Sequence, residues 1–266
     1  METEVVTKRS WIRIVFIILI LLICSFIIYF TVMSVMAPAR KLEIIKNELN
    51  SKHTDQNSID NQILIDSAYS KLLKEKSFLQ SRIVMAESDS IYLIIDLADS
   101  SANLEISGIV VHAAKISDIK ASKILLKGDE SVIYSRLATP FKISGSVGTI
   151  KRDPILVKMA PKDTSEYIPD IPPDTSLTES VNYILETTDG TRIYVYQEEN
   201  EKRSDRMNQF VFDTKDKVQN TINSLKSVIA FKVPDYHLFI KIKIPRADAK
   251  IIYRALPKKG QVAVFW

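Results

Sequence analysis

The run HLFIKIKIPRADAKIIYRALPKKGQVAVFW, residues 237–266, changes its apolar period twice. Leu238, Ile240, Ile242 and Ile244 alternate with Phe239, Lys241 and Lys243, the period of two that a strand with one buried face requires. RADAKIIYRAL then reads as a short helix closed by Lys258-Lys259-Gly260, and QVAVFW as a last strand. Strand, helix and strand in this space predict a β-rich α+β unit.

Further strands are expected upstream. IYLIIDL, NLEIS and GIVVHAAKIS read as strands, as do KILLK, DPILVKM, VNYILET and TRIYVYQ. The last two flank Thr188-Asp189-Gly190, and Asp-Gly readily supplies the positive φ angles of a tight hairpin turn. A proline-rich loop over 161–178 separates the two groups of strands, because proline cannot donate to a sheet interior. Asp213 to Ala230 predicts an amphipathic helix with Val218, Ile222, Leu225 and Ile229 on one face.

The unit is expected to occupy 89–266, preceded by a polar stretch, 40–88, without proline or glycine. Leu42, Ile45 and Leu49 keep a three-four spacing, and a second register runs through Ile65, Tyr69, Leu72, Leu79, Ile83 and Ala86, with Lys76 interrupting it. Such spacing makes a coiled-coil seam. It equally serves a helix packed on its own domain. The break between the registers, which holds His53 as a solvated residue, implies a stutter or two shorter helices.

Before the stalk, Ile14 to Ala39 is 26 residues without a charge, and about 20 apolar residues cross a bilayer's hydrocarbon core. A cleaved signal would have an apolar core of roughly 7–15 residues, although Ala37-Pro38-Ala39 loosely mimics a cleavage site. A lipoprotein signal would need a small residue before Cys24, where Ile23 stands. The stretch reads as a transmembrane helix, 14–39, following a short cytoplasmic tail, 1–13. Lys8, Arg9 and Arg13 precede it and Arg40, Lys41, Lys46 and Lys52 follow, so charge bias does not orient it. The short tail favours a single-pass protein of the cell membrane with its C-terminal domain extracytoplasmic.

Composition excludes several chemistries. Cys24 is the single cysteine and His53, His112 and His237 the only histidines, so neither a disulfide framework nor a multi-Cys or multi-His metal site is expected. The six glycines form no phosphate-cradling run. No cofactor is expected. Nucleic acid is a poor partner, since basic residues do not interleave with aromatics.

The order of elements resembles the L,D-transpeptidase catalytic domain (the YkuD family), which cross-links peptidoglycan stem peptides through a cysteine thioester. IYLIIDLADSSANLEISGIVVHAAKIS is similar to that family's first hairpins, and Thr139-Pro140 to its "Thr-Pro-x-Gly" without the glycine. IPRADAKIIYRALPKKGQVAV resembles its terminal helix and strand through Asp248, Ala249, Tyr253, Gly260 and Val262. The resemblance covers roughly 90–266 and omits the proline loop and residues around 198–235.

At the matched positions the chemistry is absent. Aligning on Gly190 and Ile193 puts Tyr194 and Val195 where the family has His-Gly. Counting back from Asp248 puts Phe239 at the base, Lys241 at the nucleophile and Lys243 at the arginine. Thiolate attack needs a sulfur, a base and oxyanion donors, and His237, two residues from the expected base, has no thiol to activate. Lys241 could attack only if desolvated or placed beside another cation such as Lys243. The simpler reading is that these lysines line a solvated sheet face or blunt a sheet edge.

Asp96 and Asp99 look like turn residues, Glu198, Glu199 and Glu201 like a solvated acidic loop, and His112 like a satisfied or exposed strand histidine. Lys241, Lys243, Arg246, Lys250 and Arg254, with Lys258 and Lys259, form a basic tail that could attract an anionic polymer or headgroups. The expectation is a catalytically inactive, membrane-anchored envelope protein that binds peptidoglycan or an envelope partner. The alternative is an assembly subunit that associates through its coiled coil, as a homo-oligomer or with another envelope protein.

Overall fold

A computed structural model describes residues 2–52, 67–127, 138–152, 179–199 and 202–265. The proline loop, DPILVKM and His53 lie outside these residues. Helices α1 (Glu2–Lys52) and α2 (Ser67–Ala86) come first. They are followed by strands β1 (Tyr92–Asp96), β2 (Ser101–Ile106), β3 (Ile109–Lys115) and β4 (Asp118–Ala121). Next come α3 (Lys123–Lys127), β5 (Phe141–Gly148), β6 (Asn182–Thr187) and β7 (Arg192–Gln197). Helix α4 (Arg203–Ile229), β8 (Phe239–Ile244), α5 (Arg246–Ala255) and β9 (Gln261–Phe265) complete the chain. The protein is α+β, as its pattern of periods predicts.

Contacts divide it into two units. One holds α1 with Lys215–Tyr236, and the other holds the sheet, α2, α3, α5 and the start of α4. In the first, α1 is long and apolar enough to cross a membrane, with no part of its apolar window buried. A helix of this kind serves as a membrane span or a signal sequence. It continues unbroken through Pro38 to Lys52. Its exposed Thr31 returns its hydroxyl to the Ile27 carbonyl (2.8 Å), which satisfies the donor within the helix itself.

The second unit is a nine-stranded sheet in the order β3-β2-β1-β9-β5-β6-β7-β8-β4. β1 with β9 and β7 with β8 are parallel. The two edge strands, β3 and β4, are consecutive in the chain and separated only by Ile116 and Ser117. The Ile116 amide bonds Ser100 on one side, and the Ser117 amide bonds Lys243 on the other. The sheet therefore curls enough to bring the end of one edge strand to the start of the other, although β3 and β4 do not pair with each other.

Local chemistry explains the strands that sequence anticipates. β6 and β7 form the expected hairpin, with Gly190 at φ 81° and the Asp189 carboxylate accepting from the hydroxyls of Thr187 and Thr191. β8 buries Ile240, Ile242 and Ile244 and leaves Phe239, Lys241 and Lys243 half-buried. Helix α5 buries Ala249, Ile252 and Tyr253, a three-four spacing that fills one face.

Several elements differ from expectation or refine it. KILLK is helix α3 rather than a strand: the Leu125 amide turns back to Ser122 and the side chain is buried. β4 and β5 were not anticipated. β4 has only four residues, and β5 carries Gly145 and Gly148 with an irregularity between Ile143 and Gly145, so neither shows a strand's usual composition.

In the 40–88 stretch, 40–52 continues α1 and α2 belongs to the sheet unit, the arrangement of two helical pieces that its broken registers allowed. The reason is Phe78 and Met85, which pack with Tyr92, Ile94, Ala263 and Phe265. Arg82 reaches the buried Glu105 carboxylate beside them (2.8 Å). The stripe Leu72, Leu79 and Ile83 faces outward instead.

Helix α4 begins ten residues earlier than predicted, and the apolar face at Val218, Ile222, Leu225 and Ile229 is exposed. It packs through Phe212 in the sheet unit and through Val228 in the α1 unit.

Candidate functional site

The two segments matched to transpeptidase motifs become neighbouring parallel strands, with Tyr194 of β7 opposite Lys241 of β8. Alternation sends Tyr194, Tyr196, Phe239, Lys241 and Lys243 to one face of this pair. Val195 goes to the other face and is fully buried. On the first face, Lys241 Nζ lies 4.4 Å from the Tyr194 ring centroid and 5.7 Å from those of Tyr196 and Phe239. Three aromatic faces around one ammonium form a cation–π cage.

Helix α4 covers the cage. Phe212 packs against the cluster of Ile184, Tyr194 and Tyr196. The Tyr196 hydroxyl donates to Asp213 Oδ1 (2.7 Å) and accepts from Lys241 Nζ (3.5 Å). A carboxylate, a phenol and an ammonium are thus joined in one chain of hydrogen bonds. Sequence reasoning missed Tyr196, Phe212 and Asp213. Tyr196 was open to recognition, because it stands two residues from Tyr194 on a strand and must share its face.

The lysines of β8 therefore do not line a solvated face or blunt an edge. β8 is paired on both sides, by β7 and β4, and Lys243 Nζ lies 3.7 Å from Asp118 of β4. Lys243 is oriented by a carboxylate. It is not left to act only as a cationic neighbour of Lys241.

His237 precedes β8, and its Nδ1 donates to the Gly190 carbonyl at the hairpin turn (3.2 Å). Its ring supports the turn.

The other basic candidates have partners too. Arg246 Nη2 binds Asp205 (2.7 Å) at side-chain exposures of 19% and 3%, and it also donates to the Glu199 carbonyl. The Glu199 carboxylate accepts the Arg246 amide (2.7 Å). It therefore caps the N-terminus of α5, where negative charge is favoured, while Glu198 and Glu199 both remain exposed. Lys250 Nζ lies 4.0 Å from Glu179. Arg254 is half-buried.

Asp96 accepts the amides of Ala98 and Asp99 (both 2.9 Å), the turn role anticipated for it. His112 Nε2 meets Asp248 Oδ1 at 3.1 Å, tying the edge strand β3 to α5.

On the opposite face, the Tyr183 and Tyr253 rings pack at a tilt of 37° with centroids 4.6 Å apart, and the Arg152 guanidinium lies 4.6 Å over Tyr253. Burial pushes the Tyr183 hydroxyl far above the usual phenol range. Burial also raises Tyr92, whose oxygen accepts the Gly108 amide.

Among the described residues, no group of three or more His, Cys, Asp or Glu side chains is placed to hold a metal ion. Cys24 lies exposed on α1. No family model, curated protein or solved structure matches the chain.

Proposed function

We propose that this chain is a single-pass membrane protein of the cell envelope whose sheet domain binds without catalysing. In this reading α1 is the span, the C-terminal domain is extracytoplasmic, and the domain is an inactive relative of the L,D-transpeptidases. The observation that carries it is Lys241. The residue at the family's nucleophile position is held by three rings and a tyrosine hydroxyl under a helix. A group fixed this way cannot approach a stem-peptide carbonyl without dismantling the cage.

The bound material in this reading is peptidoglycan. The test is co-sedimentation of the full chain in detergent with isolated sacculi, at low and high salt. Arg246 and Lys243 are neutralised within the fold, so specific binding should survive salt. Pelleting lost in high salt would reduce it to charge attraction. Protein left in the supernatant at both salts would remove wall binding.

A second reading, an assembly subunit, is favoured by α2. Leu72, Leu79 and Ile83 are exposed at 65%, 46% and 59% and keep the spacing of a helix-pairing seam. Leu79→Lys with Ile83→Lys should leave the fold intact and abolish association measured by cross-linking in membranes. Unchanged cross-linking would remove this reading.

A further inference from the structure

We infer that the C-terminal tip of α4, Ile229 to Phe231, is inserted into the lipid bilayer beside α1 as a second membrane contact. The inference rests on the reading of α1 as a span. The decisive contact is between Tyr29 and Phe231, whose rings lie 6.1 Å apart. It ties the tip of α4 to the level of Tyr29 on α1.

That level is below the membrane surface. Residues 14–28 run up to Tyr29, and the large apolar side chains among them are 40% or more exposed. At 1.5 Å per residue these fifteen positions cover about 22 Å, whereas the hydrocarbon core is about 30 Å thick. With its lower edge at Ile14, the upper edge lies about five residues beyond residue 28, near Met33. The next charge is Arg40, and Val32, Val35 and Met36 are exposed. Tilt would move the boundary further along this charge-free run, placing Tyr29 deeper. Tyr29 therefore lies about 6 Å or more below the upper edge, and Phe231, 6.1 Å from it, lies at that edge at the shallowest and within the acyl region otherwise.

The tip is built for that environment. Phe231 is 82% exposed and Ile229 61%, while Val228 alone turns inward at 1%. Phe231 takes φ 55°, a left-handed conformation that favours glycine at a helix end and is an outlier for a bulky residue. This conformation closes the helix: the Phe231 amide bonds Val228 (3.0 Å) and the Lys232 amide bonds Ser227 (2.9 Å). Backbone groups taken into lipid are costly unless paired within the protein, and the amides of Ala230, Phe231 and Lys232 are all paired here.

Lys226 and Lys232 flank the tip and are exposed, long enough to carry their charges to the headgroups. Beyond the tip, residues 232–236 line a cavity with Ala37, Arg40, Lys41 and Ile44. The chain has by then climbed back to the charged end of the span.

Tryptophan depth measurement tests this in the full chain. Trp11→Phe and Trp266→Phe remove the native signals, and Phe231→Trp is reconstituted in vesicles of phosphatidylcholine brominated near the top of the acyl chains. Ile229→Trp gives an independent second position. Leu22→Trp reports on the span with deeper bromines, and Lys217→Trp reports on water.

The expected result is blue-shifted emission and loss of fluorescence at positions 231 and 229, with position 217 unquenched. Positions 231 and 229 behaving like 217 while 22 is quenched would overturn the insertion and leave the span standing. An unquenched position 22 would overturn the span, and the insertion with it.

Discussion

Lys241 Nζ sits 4.4 Å from the centre of the Tyr194 ring, directly across the parallel pairing of β7 and β8. The residue is therefore part of the packing between the sheet and α4. Lys241→Ala should lower stability by about 1–2 kcal/mol, through the lost cation–π contact and the lost packing of its stem. Lys241→Met should restore the packing part alone. Thermal unfolding of the three proteins in one detergent checks this, and equal midpoints for Ala and wild type would contradict it.

The Asp205–Arg246 pair makes a sharper prediction, because one partner is almost fully buried. Arg246→Ala leaves a buried carboxylate uncompensated, at a cost of about 3–5 kcal/mol. Asp205→Asn should cost less, since Arg246 also keeps its bond to the Glu199 carbonyl. A double-mutant cycle that gave no coupling would refute the pairing.

Gly148 marks a close approach between sheet and helix. A Cβ there would lie 2.9 Å from the Tyr253 hydroxyl and 3.2 Å from Tyr183 Cβ. Gly148→Ala should therefore destabilise by about 1–3 kcal/mol, the usual cost of overpacking. Adding Tyr253→Phe removes the nearest atom and should recover part of the loss. No recovery would show that the Tyr253 hydroxyl is not the obstacle.

Alkaline pH should unfold the sheet unit cooperatively. Tyr183 and Tyr92 have raised folded-state pKa values, against 10.0 for an ordinary tyrosine. Above pH 10 the unfolded chain releases these protons and the folded chain keeps them, so stability falls as pH rises. Below pH 10 the contribution is present in full. Tyr183→Phe should flatten the loss. A pH-stability curve for the variant that matched wild type would argue against Tyr183 as its source.

Much of this fold can be read in the chain because its signals are local. The alternation in 238–244, the Asp189-Gly190 turn and the three-four spacing of α5 each specify an element from adjacent residues. The failures are places where tertiary partners decide. α2 carries two apolar faces, and Phe78 and Met85 reach the sheet while the more regular stripe is left outside. β5 reads as a weak strand because Gly145 and Gly148 accommodate a bulge and the approach of Tyr253. In the candidate site, sequence indicated Tyr194 and Lys241, but the covering Phe212 and Asp213 come from the helix that connects their two strands, whose packing no local pattern announces.

The most direct test of binding without catalysis is muropeptide mass spectrometry after sacculi and free stem peptides are incubated with the full chain. The predicted result is a muropeptide composition identical to that of the untreated control, for wild type and Lys241→Ala alike. New cross-links or cleavage products that disappear in Lys241→Ala would contradict it and make Lys241 a nucleophile.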